Sequence, residues 1–212
     1  MSLSKIGVRK FTHQEDPSNF TKITESLALA FQDDYNYSRF VPNDEERARR
    51  LIPVKKIILT LGKRYGFIDV TSDLRGVSVW FDSQTGKRTN WRILRSGFLS
   101  QLPKAGLKFT YRMLKYYDSL SHVLEKKYAS FHHVYLSFIG VHPEFQKNGY
   151  GSNLLEPMLA YADRHKLPCY LECPKTDLIP FYSKFGFQLI ESAHLEHPFD
   201  DCVLHVMVRN IS

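Results

Sequence analysis

The apolar residues of this chain switch between a strand period and a helical one, and the switches mark its elements. Residues 5–11 read as a short strand. Asp16 and Pro17 then supply an N-cap and a first-turn proline, and Phe20, Ile23, Leu27 and Phe31 recur at helical spacing. A second helix is predicted from near Asn43, with Glu45 and Glu46 in its first turn, where carboxylates favour the positive end of the helix dipole. Pro53 lacks an amide hydrogen and is expected to kink or divide that helix; the pattern resumes over residues 57–61, up to Gly62. Residues 66–71 and 77–81 read as two strands joined by the turn Ser72-Asp73-Leu74-Arg75-Gly76, a hairpin.

Between residues 82 and 131 the period is helical again. A short helix is expected over about 90–101, with Pro103 separating it from a second. In that second helix Phe109, Met113, Tyr116, Leu120 and Val123 alternate four and three apart, an amphipathic stripe. A structureless loop of about 50 residues would be out of place in a compact domain, so the periodicity marks a helical insert. An apolar run at 133–141 follows as a strand. A helix over 150–165 carries Leu154, Leu155, Met158, Leu159 and Ala162 on one face. A strand at 168–173, a helix at 177–185 capped by Asp177, and closing strands at 188–192 and 202–209 complete the reading.

Composition narrows the class. Hydrophobic residues make up 43% and charged residues 24%, as in soluble globular proteins. No apolar run approaches the roughly 18 residues that cross a bilayer, and the N-terminus lacks the apolar core of a signal peptide. A cytoplasmic location is therefore expected, with no membrane partner. Three cysteines are too few and too odd for a disulfide framework, and Cys169 and Cys173 would stand about 13 Å apart along one strand. Cys169, Cys173, Cys202, His194, His197 and His205 match no zinc spacing, so no metal is expected. Charge is concentrated: residues 85–128 hold ten lysines and arginines against Asp118 and Glu125, while the whole chain is only +7.

The chemistry is carried by Gln146-Lys147-Asn148-Gly149-Tyr150-Gly151-Ser152, a glycine turn between a strand and a helix. Such a turn leaves backbone N–H groups free at the positive end of a helix, a ready phosphate site. A dinucleotide fingerprint would need another glycine first, and a P-loop would need a lysine before Ser152. What remains is Q-x-x-G-x-G after a strand ending in V-x-P.

This pattern resembles the pyrophosphate loop of the GNAT superfamily of acetyl-CoA-dependent N-acetyltransferases. The resemblance continues through residues 168–173 and 177–187, with Tyr182, Gly186 and Phe187 as the family's Tyr-x-x-x-Gly-Phe. Within the superfamily, L-E-C-P-K-T-D-L-I-P-F-Y-S-K-F-G-F is most similar to the branch containing puromycin N-acetyltransferase. The likeness spans about residues 132–209. It implies an α+β, three-layer fold with a mixed, mostly antiparallel twisted sheet and helices on both faces. The expected organisation is one acetyltransferase domain over 1–212, with a basic helical insert at about 85–130 before the central strand.

The resemblance also assigns roles. Gln146 through Ser152 would hold the phosphates of acetyl-CoA, the co-substrate. Phe138, Ile139, Gly140 and Val141 would offer backbone groups to pantetheine and the acetyl oxygen, with Gly140 compatible with a bulge. Thr176 stands where the family often has asparagine. Tyr182 is the candidate general acid. Glu172, a carboxylate in an apolar strand, is the candidate base, ahead of Glu25, Asp33, Asp34, His142 and Glu144. The implied reaction is direct acetyl transfer to a primary amine of a small molecule in a ternary complex, with Cys173 as an acyl carrier the other route. The competing expectation is a GNAT-fold binding module that engages nucleic acid or an acidic partner through the basic insert, although nucleic acid is not the expected partner. Acceptor identity and oligomeric state, homodimer included, stay open.

Overall fold

A computed structural model describes residues 6–12, 14–118, 124–195 and 202–211. Lys5, Leu120, Val123 and His197, named above, lie outside the described residues. The elements in order are β1 (Val8–Lys10), α1 (Pro17–Ala30), α2 (Tyr35–Phe40), α3 (Asp44–Tyr65), β2 (Phe67–Thr71) and β3 (Gly76–Asp82). Helices α4 (Asn90–Ile93), α5 (Leu99–Ala105), α6 (Leu107–Asp118) and α7 (Glu125–Tyr128) follow. The chain closes with β4 (Val134–Val141), α8 (Tyr150–His165), β5 (Cys169–Cys173), α9 (Ile179–Ser183), β6 (Gln188–His194) and β7 (Val203–Arg209).

The strands form one seven-stranded sheet in the order β1-β2-β3-β4-β5-β7-β6. Every neighbouring pair is antiparallel except β4 with β5. That parallel pair is short: only Val134 with Cys169 and Tyr135 with Tyr170 stand in register, although both strands continue. Beyond Tyr135 the two strands are splayed. Side chains alternate between two cores. Tyr135, Phe138, Tyr170, Val206 and Val208 face one side, with α1, α3 and α6. Val134, Leu136, Leu171, Cys173 and Met207 face the other, with α8 and α9.

Two helix starts are set by side-chain caps, at Asp16 as expected and at Asn43. The Asp16 carboxylate accepts from the Ser18 N–H at 2.7 Å, and the Asn43 side chain accepts from the Glu46 N–H at 2.8 Å. Other boundaries correct the sequence reading. Pro53 does not divide α3, which runs on through Tyr65. Leu51, Val54, Lys55, Ile58 and Leu59 are buried, and this packing outweighs the roughly 3 kcal/mol that an interior proline costs. Likewise Pro103 lies inside α5. The breaks fall instead at Gly97 (φ +89°) and Gly106 (φ +87°), left-handed positions that suit glycine. Helix α2 is an addition that no periodicity announced.

Candidate active site

The splay between β4 and β5 opens into a cleft of about 640 Å³. Its floor is β4. In the register of β3 with β4, Val79 pairs with Phe138 and Trp80 with Leu136, so Ser137 has no partner and forms a bulge. The bulge is thus not at Gly140, where it was anticipated. Gly140 is small for another reason: a Cβ there would stand 2.7 Å from Leu27 Cδ1 and 2.9 Å from Ala30 Cβ, so α1 packs directly on β4. Phe138, Ile139, Gly140 and Val141 all line the cleft, on the edge where β5 has parted.

One end of the cleft is the glycine turn. Gly149 has φ +83° and caps α8 without a side chain, and no atom lies within 4 Å of where its Cβ would be. The first N–H groups of α8 therefore face open space at the positive end of a 16-residue helix. The Gln146 side chain donates to the Val141 carbonyl at 3.1 Å and ties the turn to β4. Gln146, Lys147, Gly149, Tyr150, Gly151 and Ser152 line the cleft, whereas the Asn148 amide donates back to the Gln146 carbonyl at 3.2 Å. The Tyr150 hydroxyl donates to Asp73 Oδ2 at 2.6 Å, which raises its own pKa. Lys175 and Lys184 also reach this cleft. Both were passed over as ligands because a surface lysine outside a motif carries no signal.

The two expected proton-transfer groups stand on opposite faces of the sheet. Tyr182 lies on the α8 side, buried between Phe181 and Phe187 with ring centroids at 5.1 and 6.0 Å, and it lines the cleft. Burial, with Cys173 adding to it, pushes its phenol well above the ordinary value. Glu172 lies on the α1 side, half-buried, accepting from the Tyr170 hydroxyl at 2.8 Å. Burial raises its pKa to about 7, against the hydrogen bonds from Tyr135 and Tyr170 and the charge of Arg88. Arg88 in turn sits 4.1 Å from the Tyr135 ring centroid and 2.5 Å from Glu125. None of these three was foreseen: the sheet register brings Tyr135 to Glu172 and the segment after β3 brings Arg88, while Tyr170 stands two residues before Glu172 on the same strand face.

Other candidates are placed elsewhere. Thr176 hydrogen-bonds the His205 imidazole at 2.9 Å and is not among the cleft residues. Asp177 caps no helix; it sits in a short 3₁₀ turn and lines the cleft. Asp34 lines it too, while Glu25, Asp33, His142 and Glu144 do not. Cys173 donates to the Lys175 carbonyl, and burial pushes its thiol up to about 11, so it holds its proton at neutral pH. No cluster of metal-ligating side chains occurs among the described residues.

Residues 112–187 match the Acetyltransferase (GNAT) family model. That segment, which holds the glycine turn and Tyr182, is similar to GNAT acetyltransferases. The chain is 25% identical over 201 residues to an uncharacterised N-acetyltransferase of Schizosaccharomyces pombe, covering 92% of this chain and 81% of that one. Its fold is that of a Corynebacterium glutamicum structure described as histone acetyltransferase HPA2 and related acetyltransferase. That likeness has a TM-score of 0.65 and 23% identity, over 99% of this chain and 98% of the other. Arylalkylamine N-acetyltransferase 2 from Aedes aegypti is similar at TM-score 0.53 and 15% identity, over 97% and 100%. The seven-stranded, mostly antiparallel sheet with its parted central pair is therefore the GNAT fold. Among the described residues no helix is long and apolar enough to cross a membrane.

Proposed function

We propose that this chain is one acetyltransferase domain that moves the acetyl group of acetyl-CoA to a primary amine of a small molecule, by direct transfer in a ternary complex. The observation that carries this reading is the parted β4–β5 edge, with an uncapped helix at one end and an ionisable group on each face. The Gln146–Ser152 turn, with Lys147, Lys175 and Lys184, suits a polyphosphate. The backbone of Phe138–Val141 suits an amide-rich arm and a thioester carbonyl, whose oxygen gains charge as the amine attacks. The resemblance of residues 171–187 to the puromycin-type branch, and the mosquito enzyme's name, favour a small amine. Cys169 and Cys173, buried and not joined in a disulfide, fit a reducing compartment such as the cytosol.

The chemistry then divides between the faces. On the α1 side Glu172 takes a proton from the acceptor ammonium, and its pKa near 7 suits that exchange at neutral pH. The nitrogen lone pair forms the C–N bond, the C–S bond breaks, and sulfur leaves with the electron pair. On the α8 side Tyr182 protonates that sulfur. Burial penalises a free thiolate in the same pocket as it does a phenolate, so their difference sets the transfer. Helix α6 forms a wall on the acceptor side: Phe109, Met113 and Tyr116 are buried, and Tyr116 reaches the cleft.

Tyr182→Phe keeps the ring and removes the proton. Turnover with a panel of primary amines, followed by CoA release, is expected to fall about 10²-fold or more while acetyl-CoA affinity stays near normal. Unaltered turnover across the pH range would show that Tyr182 only packs.

A further inference from the structure

The acceptor face holds a second ionisable centre with no part in the steps above. Lys55, on the inner side of α3, is fully buried. Its Nζ lies 3.7 Å from the ring centroid of Phe31, 4.3 Å from that of Phe138 and 4.5 Å from that of Tyr37. It also lies 3.0 Å from the Tyr37 hydroxyl. Phe31, Tyr37 and Phe138 all line the cleft, as does Asp34, whose charge acts on the lysine. A buried amine is a costly way to fill space that methionine would fill as well. Of the three rings between Lys55 and the cleft, Tyr37 alone carries a hydroxyl.

Proton stoichiometry gives this arrangement a task. An alkylammonium acceptor loses two protons on its way to an amide: one to free the lone pair, and one after the C–N bond forms. The departing sulfur recovers a single proton, and does so on the other face. Glu172 accommodates one of the two. We propose that the Tyr37–Lys55 pair takes the other. The acceptor nitrogen passes its proton to Tyr37 Oη as Tyr37 passes its own to Lys55 Nζ. The product is an ammonium ion enclosed by three aromatic faces, which attract a cation. The proton returns by the same path once the amide has left, and the net release is one proton per turnover. The 3.0 Å contact serves in both directions, since an ammonium donates to the phenol oxygen and a neutral amine accepts the phenol hydrogen.

Burial disfavours the charged form of this amine. Burial holds the Lys55 pKa well below that of a free lysine, with Asp34 pulling the other way. The groups facing Lys55 are Asp34, from the turn after α1, and Tyr37, from α2; Tyr116, Tyr135 and Glu172 line the cleft beyond them.

The inference rests on the acetyl-transfer reading, and the test separates the two. The full chain is assayed with saturating acetyl-CoA and tyramine from about pH 5 to about pH 9. Wild-type protein that acetylates no primary amine overturns the acetyl-transfer reading, and this inference with it. With two proton acceptors, log kcat falls on the acid side with a limiting slope of two. Lys55→Met and Tyr37→Phe are each expected to slow kcat roughly 10- to 100-fold and to leave a slope of one, and so is Glu172→Gln. A packing role for Lys55 would not change the slope. Folded Lys55→Met protein with the wild-type rate and slope overturns the inference alone. Thermal unfolding gives a readout that needs no acceptor. A lysine whose folded pKa is lowered destabilises most at low pH, so the gain in Tm from Lys55→Met is expected to shrink between pH 6 and pH 10. A gain independent of pH would mean that Lys55 does not titrate there, and the proposal falls.

Discussion

Asp69 offers a quantitative test of how burial sets charge in this protein. It lies in β2, 1% exposed, and neither carboxylate oxygen has a hydrogen-bond partner among the described residues. Its cross-strand neighbour Ser78 is already committed, donating to the Leu154 carbonyl of α8. Burial raises the Asp69 pKa from 3.8 to about 6, opposed only by the charge of Lys10. The native state therefore keeps a proton that the unfolded chain has released. Stability is fullest below the unfolded value and declines as pH rises through the folded one. A shift of about 2 units corresponds to roughly 3 kcal/mol, a large share of an ordinary folding free energy. Asp69→Asn removes the titration and keeps the shape. Its amide bears a constant cost, which cancels when the variant is compared with wild type at two pH values; so do the titrations of all other groups. Urea unfolding at about pH 4 and about pH 7.5 is thus expected to show the variant gaining about 2 kcal/mol relative to wild type between them, since part of the effect is already spent at pH 4, or about 1 M in midpoint. Parallel pH dependences for the two proteins would refute the argument and imply that Asp69 finds solvent or a partner.

Two further outcomes bear on the cleft. Gly149→Asp puts a branched side chain at a left-handed position and a negative charge where the turn would meet phosphate; acetyl-CoA is expected to raise the Tm of wild type but not of this variant, and an equal shift would move the cofactor site elsewhere. Reversing the charges of Lys108, Arg112 and Lys115 together is expected to alter acceptor kinetics if α6 walls the acceptor side. Unaltered kinetics, together with weaker and less salt-dependent binding to DNA or RNA, would instead make the basic segment a partner surface.

The parts legible in the sequence were those written in local chemistry. Asp16 and Asn43 announce their helices because a cap is satisfied within three residues. The glycine turn is legible because a left-handed residue and an uncapped helix are both local demands. Pro53 misled for the same reason: its cost is local, but the burial of Leu51, Lys55 and Leu59 that outweighs it comes from elements elsewhere in the chain, α1 and α5 as well as β2 and β3. Gly140 looked like the site of a bulge because a strand glycine often is one, yet the bulge at Ser137 arises from pairing with Val79 and Trp80 across the sheet. The Tyr135 hydroxyl near Glu172 and the rings around Lys55 have no sequence signal, because elements far apart in the chain bring them together; Tyr170, two residues before Glu172 on the same strand face, is by contrast a local neighbour. A buried lysine reads as a surface one until its helix is docked.

The brief pairing of β4 with β5 has a mechanical consequence. Four strands lie on one side of that seam and three on the other, and in the sheet itself only two register positions join them. The sheet therefore resembles two stiff plates meeting along a short weld rather than one continuous lattice. A molecule wedged into the open length of the seam, bonded to the free edge of β4, would act as a further length of weld. It would stiffen both plates well beyond the atoms it touches, and its departure would free them to move relative to each other.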